Sequence, residues 1–290
     1  MNWRKIHKVF IGVAVCTVLA SCNQDLEFDL PDPDSRIVVD GWIENGSQAK
    51  VFLTANSPYF ATIDSASLRD LVLSRAKVTI DDGENSEVLI LRKDNRYFPP
   101  YYYAGNDIFG ESGKTYTLTA EYGGKKVLAE TSIPEPVSID TSYFVLLEGE
   151  DSLGYLVLEF RDPPEEKNYY RIFTQRLGLD DKFISAFIMA INDQYFPGGK
   201  IRLSLFRAPE TYLSTKDDNY FRIGETTVIK LSTIDRASFE FWNSYQDELL
   251  NATNPFASSL SEIKSNITGD GYGIWSGYGS TVDTVFASGQ

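Results

Sequence analysis

The octapeptide TYTLTAEY (115–122) places Tyr116, Leu118, Ala120 and Tyr122 on one side of an extended chain, and three threonines with Glu121 on the other. Successive side chains of a strand point to opposite faces, so this period of two predicts a strand with one face on a core. The pattern recurs along the first half of the chain. RIVVDGWIE (36–44), AKVFLTA (49–55), AKVTIDD (76–82), EVLILRK (87–93) and KVLAETSI (126–133) are short and rich in β-branched and aromatic residues, which suit a pleated, half-buried surface. Asp82-Gly83 and Gly123-Gly124 punctuate them, because glycine supplies the positive φ of tight hairpin turns. About six strands in roughly 100 residues is the count of an immunoglobulin-like or transthyretin-like sandwich. SASLRDLVLSRA (65–76) interrupts the series and reads as a helical turn in a long loop.

Pro134-Glu135-Pro136 forms a stiff boundary, after which strands resume: TSYFVLL (141–147), GYLVLEFRD (154–162), NYYRIFTQRL (168–177), KFISAFIMAI (182–191), GKIRLSLF (199–206) and TTVIKLST (226–233). A helix is expected near 236–250, with Asp235 as its cap and Ile234 and Phe239 as a hydrophobic staple. Phe241, Tyr245 and Leu249 recur there at helical spacing, and Asn254-Pro255 stops it. The last forty residues, rich in Gly, Ser and Asn, read as loop with one short strand near Thr281 to Phe286. The expected fold class is therefore mainly β. A sandwich domain spans 36–136, and a second β-rich domain carrying one helix spans 137–290.

The N-terminus carries an address. Asn2 to Lys8 is basic, Val9 to Ala20 is an apolar run too short to span a bilayer, and Leu19-Ala20-Ser21-Cys22 follows. Residues 1–21 are thus expected to be a signal peptide cut before a lipidated Cys22. Acyl chains anchor firmly when there are several, since each buried CH₂ contributes about 0.8 kcal/mol. Residues 22–35 hold that cysteine and an acidic, proline-containing tether, NQDLEFDLPDPDS, which cannot bury enough apolar surface to fold. At about 3.3 Å per residue the tether reaches roughly 40 Å.

Composition then narrows the chemistry. The chain has one histidine, His7, and two cysteines, Cys16 and Cys22. His7 and Cys16 fall in the segment expected to be removed, together with three basic residues and no acids. The formal charge moves accordingly from −14 to −17. What remains has no histidine for a triad or a metal site, and no thiol beyond the anchor. An acidic surface also disfavours nucleic acid.

The stretches IVVDGWI (37–43), TYTLTAEYGGKKVLAETSIPEP (115–136), DPPEEKNYYRI (162–172) and FWNSY…NPF…SNITGDGYGIWSGY (241–278) resemble, in this order and behind a lipobox, a family of Bacteroidota outer-membrane lipoproteins. That family is known as a domain of unknown function in the four-thousand series. The resemblance implies a lipid-anchored cell-surface protein that assists a TonB-dependent outer-membrane receptor in substrate capture or uptake. The acidic patch after Cys22 also resembles the surface-export signal of such lipoproteins, so the expected location is the outer face of the outer membrane. The family brings no catalytic residues to transfer. The alternative function is a free-standing surface glycan-binding or adhesive protein.

No enzyme is expected. Glu165-Glu166, Asp180-Asp181 and Asp217-Asp218 pair in sequence, whereas glycoside hydrolysis needs two carboxyls about 5–9 Å apart across a cleft. Asp81 to Asn85 and Asn266 to Asp270 are rich in oxygen ligands but lack the spacing of an EF-hand loop. Neither a metal nor a cofactor is expected. The most conspicuous segment is RYFPPYYYAGNDIF (96–109), followed by GDGYGIWSGYGS (269–280). Exposed rings there would supply stacking platforms or hot spots, which makes Tyr101, Tyr102, Tyr103, Tyr272, Trp275 and Tyr278 the candidate ligand- or partner-binding residues. The competing reading has alternate tyrosines filling the core, and small residues alternating with rings at a close-packed seam.

Overall fold

The structure is a computed structural model that describes residues 35–57, 69–164, 167–195, 199–208, 216–252 and 262–289. The expected signal peptide, Cys22 and the tether up to residue 34 lie outside the described residues, as do residues 65–68 of the expected helical turn. In the first half the strands are β1 (Ile37–Glu44), β2 (Gln48–Ala55), β3 (Lys77–Asp81), β4 (Ser86–Val88), β5 (Ile90–Lys93), β6 (Tyr101–Phe109), β7 (Thr115–Tyr122) and β8 (Lys125–Ser132). In the second half they are β9 (Ile139–Leu146), β10 (Leu153–Arg161), β11 (Tyr169–Arg176), β12 (Ile184–Ser185), β13 (Ile191–Asn192), β14 (Lys200–Leu205), β15 (Phe221–Arg222), β16 (Thr226–Ile234), β17 (Thr268–Gly269) and β18 (Gly271–Phe286). A single long helix among the described residues, α1 (Arg236–Ala252), completes a mainly β fold.

The strands form three sheets. The long one runs β12-β11-β16-β18-β1-β2-β6-β5, with β13 also on β11. A five-stranded sheet (β17-β8-β7-β3-β4) covers one half of it, and a four-stranded sheet built on β10 covers the other. Side-chain parity explains the layering. Ile37, Val39 and Ile43 of β1 join Tyr116, Leu118 and Trp275 in one core, while Tyr170, Ile172, Ile229 and Leu231 join Leu156, Phe160 and Val285 in a second. Both cores lie on the same face of the long sheet. The intervening residues, including Asp40, Trp42, Arg171, Phe173 and Lys230, point to the opposite face, where α1 packs through Phe239 and Trp242 beside Ile234 and Tyr278.

The cores change over near Pro134-Glu135-Pro136, where the sequence suggests a boundary, but the long sheet continues across it. The staple is β18. Its first half pairs parallel with β1 from Gly271 to Tyr278, and its second half pairs antiparallel with β16 from Tyr278 to Phe286. Residues Ser35–Gln290 accordingly form one compact unit.

This corrects the expectation of a C-terminal loop. The glycines of GDGYGIWSGYGS mark close approach of backbones rather than a turn. A β-carbon on Gly277 would collide with the Ser132 carbonyl, and one on Gly279 with the Pro134 carbonyl, so the chain leaving β8 can cross directly over β18. A second correction concerns 182–191, where only the two-residue strands β12 and β13 form; the run is apolar without period two. EVLILRK also divides, with β4 in the five-stranded sheet and β5 in the long one. The helix forms where expected. Asp235 caps it by accepting from the Ser238 amide at 2.7 Å. Its inward face, however, is Ser238, Phe239 and Trp242, whereas Leu249 is exposed.

Candidate functional site

Among the described residues, the face of the long sheet that bears α1 is not fully covered. Two hollows open there, of about 880 Å³ and 380 Å³, and both are lined by Val38 and Asp40 of β1. They therefore form one groove with Asp40 at its middle. The smaller end is walled by Trp42, Phe52, Tyr97, Phe98, Lys182 and Phe183. The larger end is walled by Phe241, Trp242, Tyr245 and Glu248 of α1, by Arg36, and by Glu262, Lys264 and Tyr272.

Local sequence explains the rings. Asp40 and Trp42 occupy the parity of β1 that faces away from the core, and Phe52 lies directly across from Asp40 on β2. Trp42 and Phe52 are stacked, with centroids 5.9 Å apart and planes 21° apart. Tyr97 packs on Phe52 at 5.1 Å, and Tyr102 backs both at 5.4 and 5.7 Å.

Cations sit on the same rings. The Lys182 ammonium lies 4.9 Å from the Tyr97 centroid, and Lys230 lies 4.6 Å from Phe183 while pairing with Glu44 at 2.9 Å. Arg171 is buried, with its guanidinium 3.6 Å from the Trp242 centroid. It donates to the Tyr278 hydroxyl at 2.8 Å and to the Met189 carbonyl at 3.1 Å. Such contacts contribute about 2 kcal/mol or more when desolvated, so Arg171 locks α1, β11 and β18 into one wall.

The Asp40 side chain makes no hydrogen bond or ion pair among the described residues, and it is open to water at the groove. The surrounding protein desolvates it and pushes its pKa up, and the nearby charges of Arg171 and Lys182 oppose this only in part. A carboxylate placed so, beside rings, is a ready acceptor for a donor group of a ligand.

The sequence-derived residues divide. Tyr272 is 39% exposed and lines the larger hollow. Tyr101 is half-buried, with Lys93 over its ring at 6.0 Å. The expectation of exposed platforms is corrected for Tyr103, Trp275 and Tyr278. Tyr103 is buried and donates to the Leu73 carbonyl at 2.6 Å, and Trp275 is fully buried and donates to the Tyr116 carbonyl at 3.0 Å. Tyr278 is buried against Arg171, and that burial pushes its hydroxyl pKa up. Tyr102 is also buried and only supports the groove from behind. Tyr103, Trp275 and Tyr278 each fill a core cluster, the reading set against the binding one.

The oxygen-rich segments are committed to the backbone. Asp81 and Asp82 accept amides of the β3–β4 turn from Gly83, Glu84 and Asn85. Asn266 holds Trp275 at both its amide and its carbonyl, and Asp270 accepts from the Lys126 amide. Sequence reasoning missed Asp40, Trp42, Phe52 and Lys182. The available signal was the outward parity of IVVDGWIE, which puts an acid and a tryptophan on the face opposite the core.

A family model described as Domain of unknown function (DUF4249) matches residues 23–284. No curated protein matches the chain. The chain therefore belongs to that family.

Proposed function

We propose that this family member is a non-catalytic lipoprotein, anchored at Cys22 in the outer membrane and facing outward, that captures a ligand for a TonB-dependent outer-membrane receptor. The observation that carries the capture step is the open, ring-walled groove with an unpartnered carboxylate at its middle. Ligand sites are concave, mostly apolar, and fixed in orientation by a few polar groups. The basic leader, the run ending in Cys22 and the acidic tether support the anchor, and the family resemblance supports the receptor.

The lipidated protein, drawn in sugar-free detergent from its own outer membrane at moderate salt, should bring a stoichiometric TonB-dependent receptor, identified by mass spectrometry. Recovery of the protein alone would remove the receptor from the proposal and favour a free-standing binding role. Cys22→Ser should move the protein out of the membrane fraction, and persistence there after a carbonate wash would refute the anchor. Asp40 shares the larger hollow with Glu248 and Glu262, so release of reducing ends from a bound oligosaccharide would overturn the non-catalytic reading.

A further inference from the structure

We infer that the groove takes a neutral carbohydrate chain, with sugar rings stacked on its aromatic walls and hydroxyls bonded to Asp40 and Lys182. This rests on the reading of the groove as the capture site and names its ligand class.

Charge provides the first argument. Across both hollows three basic residues, Arg36, Lys182 and Lys264, stand against three acidic ones, Asp40, Glu248 and Glu262. The lining is formally neutral in a chain of charge −14. A site for an anion or a cation would concentrate one sign, because focusing by like charges is what raises the local concentration of an ionic ligand.

Hydrogen-bonding capacity provides the second. In its ionised form the Asp40 side chain only accepts and the Lys182 ammonium only donates, and neither side chain has a hydrogen-bond partner among the described residues. A cation would leave the donors unmatched and an anion the acceptors, whereas a hydroxyl both donates and accepts. The rings add the third argument. Trp42 and Phe52 lie nearly parallel along the floor, and Phe98 is 54% exposed at the rim. Flat, rigid rings of this kind match the C–H face of a pyranose at little entropic cost. An extended peptide is disfavoured on the floor of the groove because both edges of β1 are already paired, to β2 and β18, and cannot take a further strand.

The full lipidated chain in sugar-free detergent should be tested by calorimetry and tryptophan fluorescence against maltohexaose, cellohexaose, mannohexaose and xylohexaose, and on a glycan array. Pentalysine, citrate and pentaglycine serve as ionic and peptide comparators. The expected result is saturable binding of at least one glycan, weakened about tenfold or more by Asp40→Asn and by Trp42→Ala, which is what loss of about 1.4 kcal/mol produces. Asp40→Asn preserves shape, so an unchanged melting temperature separates lost contact from lost fold. Binding of a comparator with no glycan, glycan binding untouched by either variant, or no glycan binding on the array would overturn the inference. Receptor recovery in the pull-down alongside any of those results would leave the uptake reading standing without its carbohydrate. Glycan binding without a receptor would leave the ligand class and remove the receptor.

Discussion

Replacing Trp275 with phenylalanine tests whether the glycine-rich tail is a packed seam. The indole is fully buried, its Nε1 donates to the Tyr116 carbonyl at 3.0 Å, and its ring edge lies 3.0 Å from where a β-carbon on Gly41 would stand. Phenylalanine keeps one six-membered ring and deletes the rest, so the packing loss is well below the ~3–5 kcal/mol of a full Trp→Ala cavity, roughly 1–2 kcal/mol. The Tyr116 carbonyl keeps its ladder partner opposite, on Thr131 of β8, so loss of the indole donor adds only about 0.5–1.5 kcal/mol. The variant should therefore lose about 2–3 kcal/mol, read as a lower urea midpoint at unchanged slope in circular dichroism of the full chain. Binding in the groove should survive wherever the variant is folded, since Trp275 points to the other face of the sheet. An unchanged midpoint, or lost binding at full stability, would refute the assignment of Trp275 to the core.

Two further outcomes follow from buried contacts elsewhere. Asp180 accepts from Arg176 at 2.8 Å and from Arg207 at 3.1 Å, with Arg207 only 4% exposed at its side chain and Arg176 18%. Burial raises its pKa, but the Arg176 and Arg207 interactions outweigh that and hold it below the ordinary 3.8. Its stabilisation is therefore present above the unfolded value of 3.8 and is lost as pH falls through the lower folded value. Asp180→Asn should cost about 2–4 kcal/mol at neutral pH, less than a sealed pair because Arg176 reaches water, and should flatten the acid side of the stability curve. An unchanged acid limb would refute this role. Gly277→Ala places a methyl against the Ser132 carbonyl, a backbone atom that cannot yield cheaply. It should cost about 1–3 kcal/mol by overpacking, and a melting temperature equal to that of the parent would show that β8 does not cross β18 this closely.

Local signals fixed much of the fold. Period-two segments became β1, β2, β3, β7, β8, β10, β11, β14 and β16 within a residue or two, because burying one face of a strand leaves its mark on adjacent residues. Asp235 and Ile234 placed α1 for the same reason, since a cap is made within one turn. What failed locally was the reading of β18. Its glycines meet Ser132 and Pro134, well over a hundred residues away, and nothing in a window of ten residues distinguishes a glycine that turns from one that admits a neighbour. The same distance hid the groove. Asp40, Lys182 and Trp242 meet only because β18 joins β1 to β16 and brings α1 over their shared face. Strand content and the helix were legible in the sequence because both are set by near neighbours along the chain. Tertiary structure alone decided which rings are core and which are wall, because facing is set by pairing across the sheet and not by the residue itself.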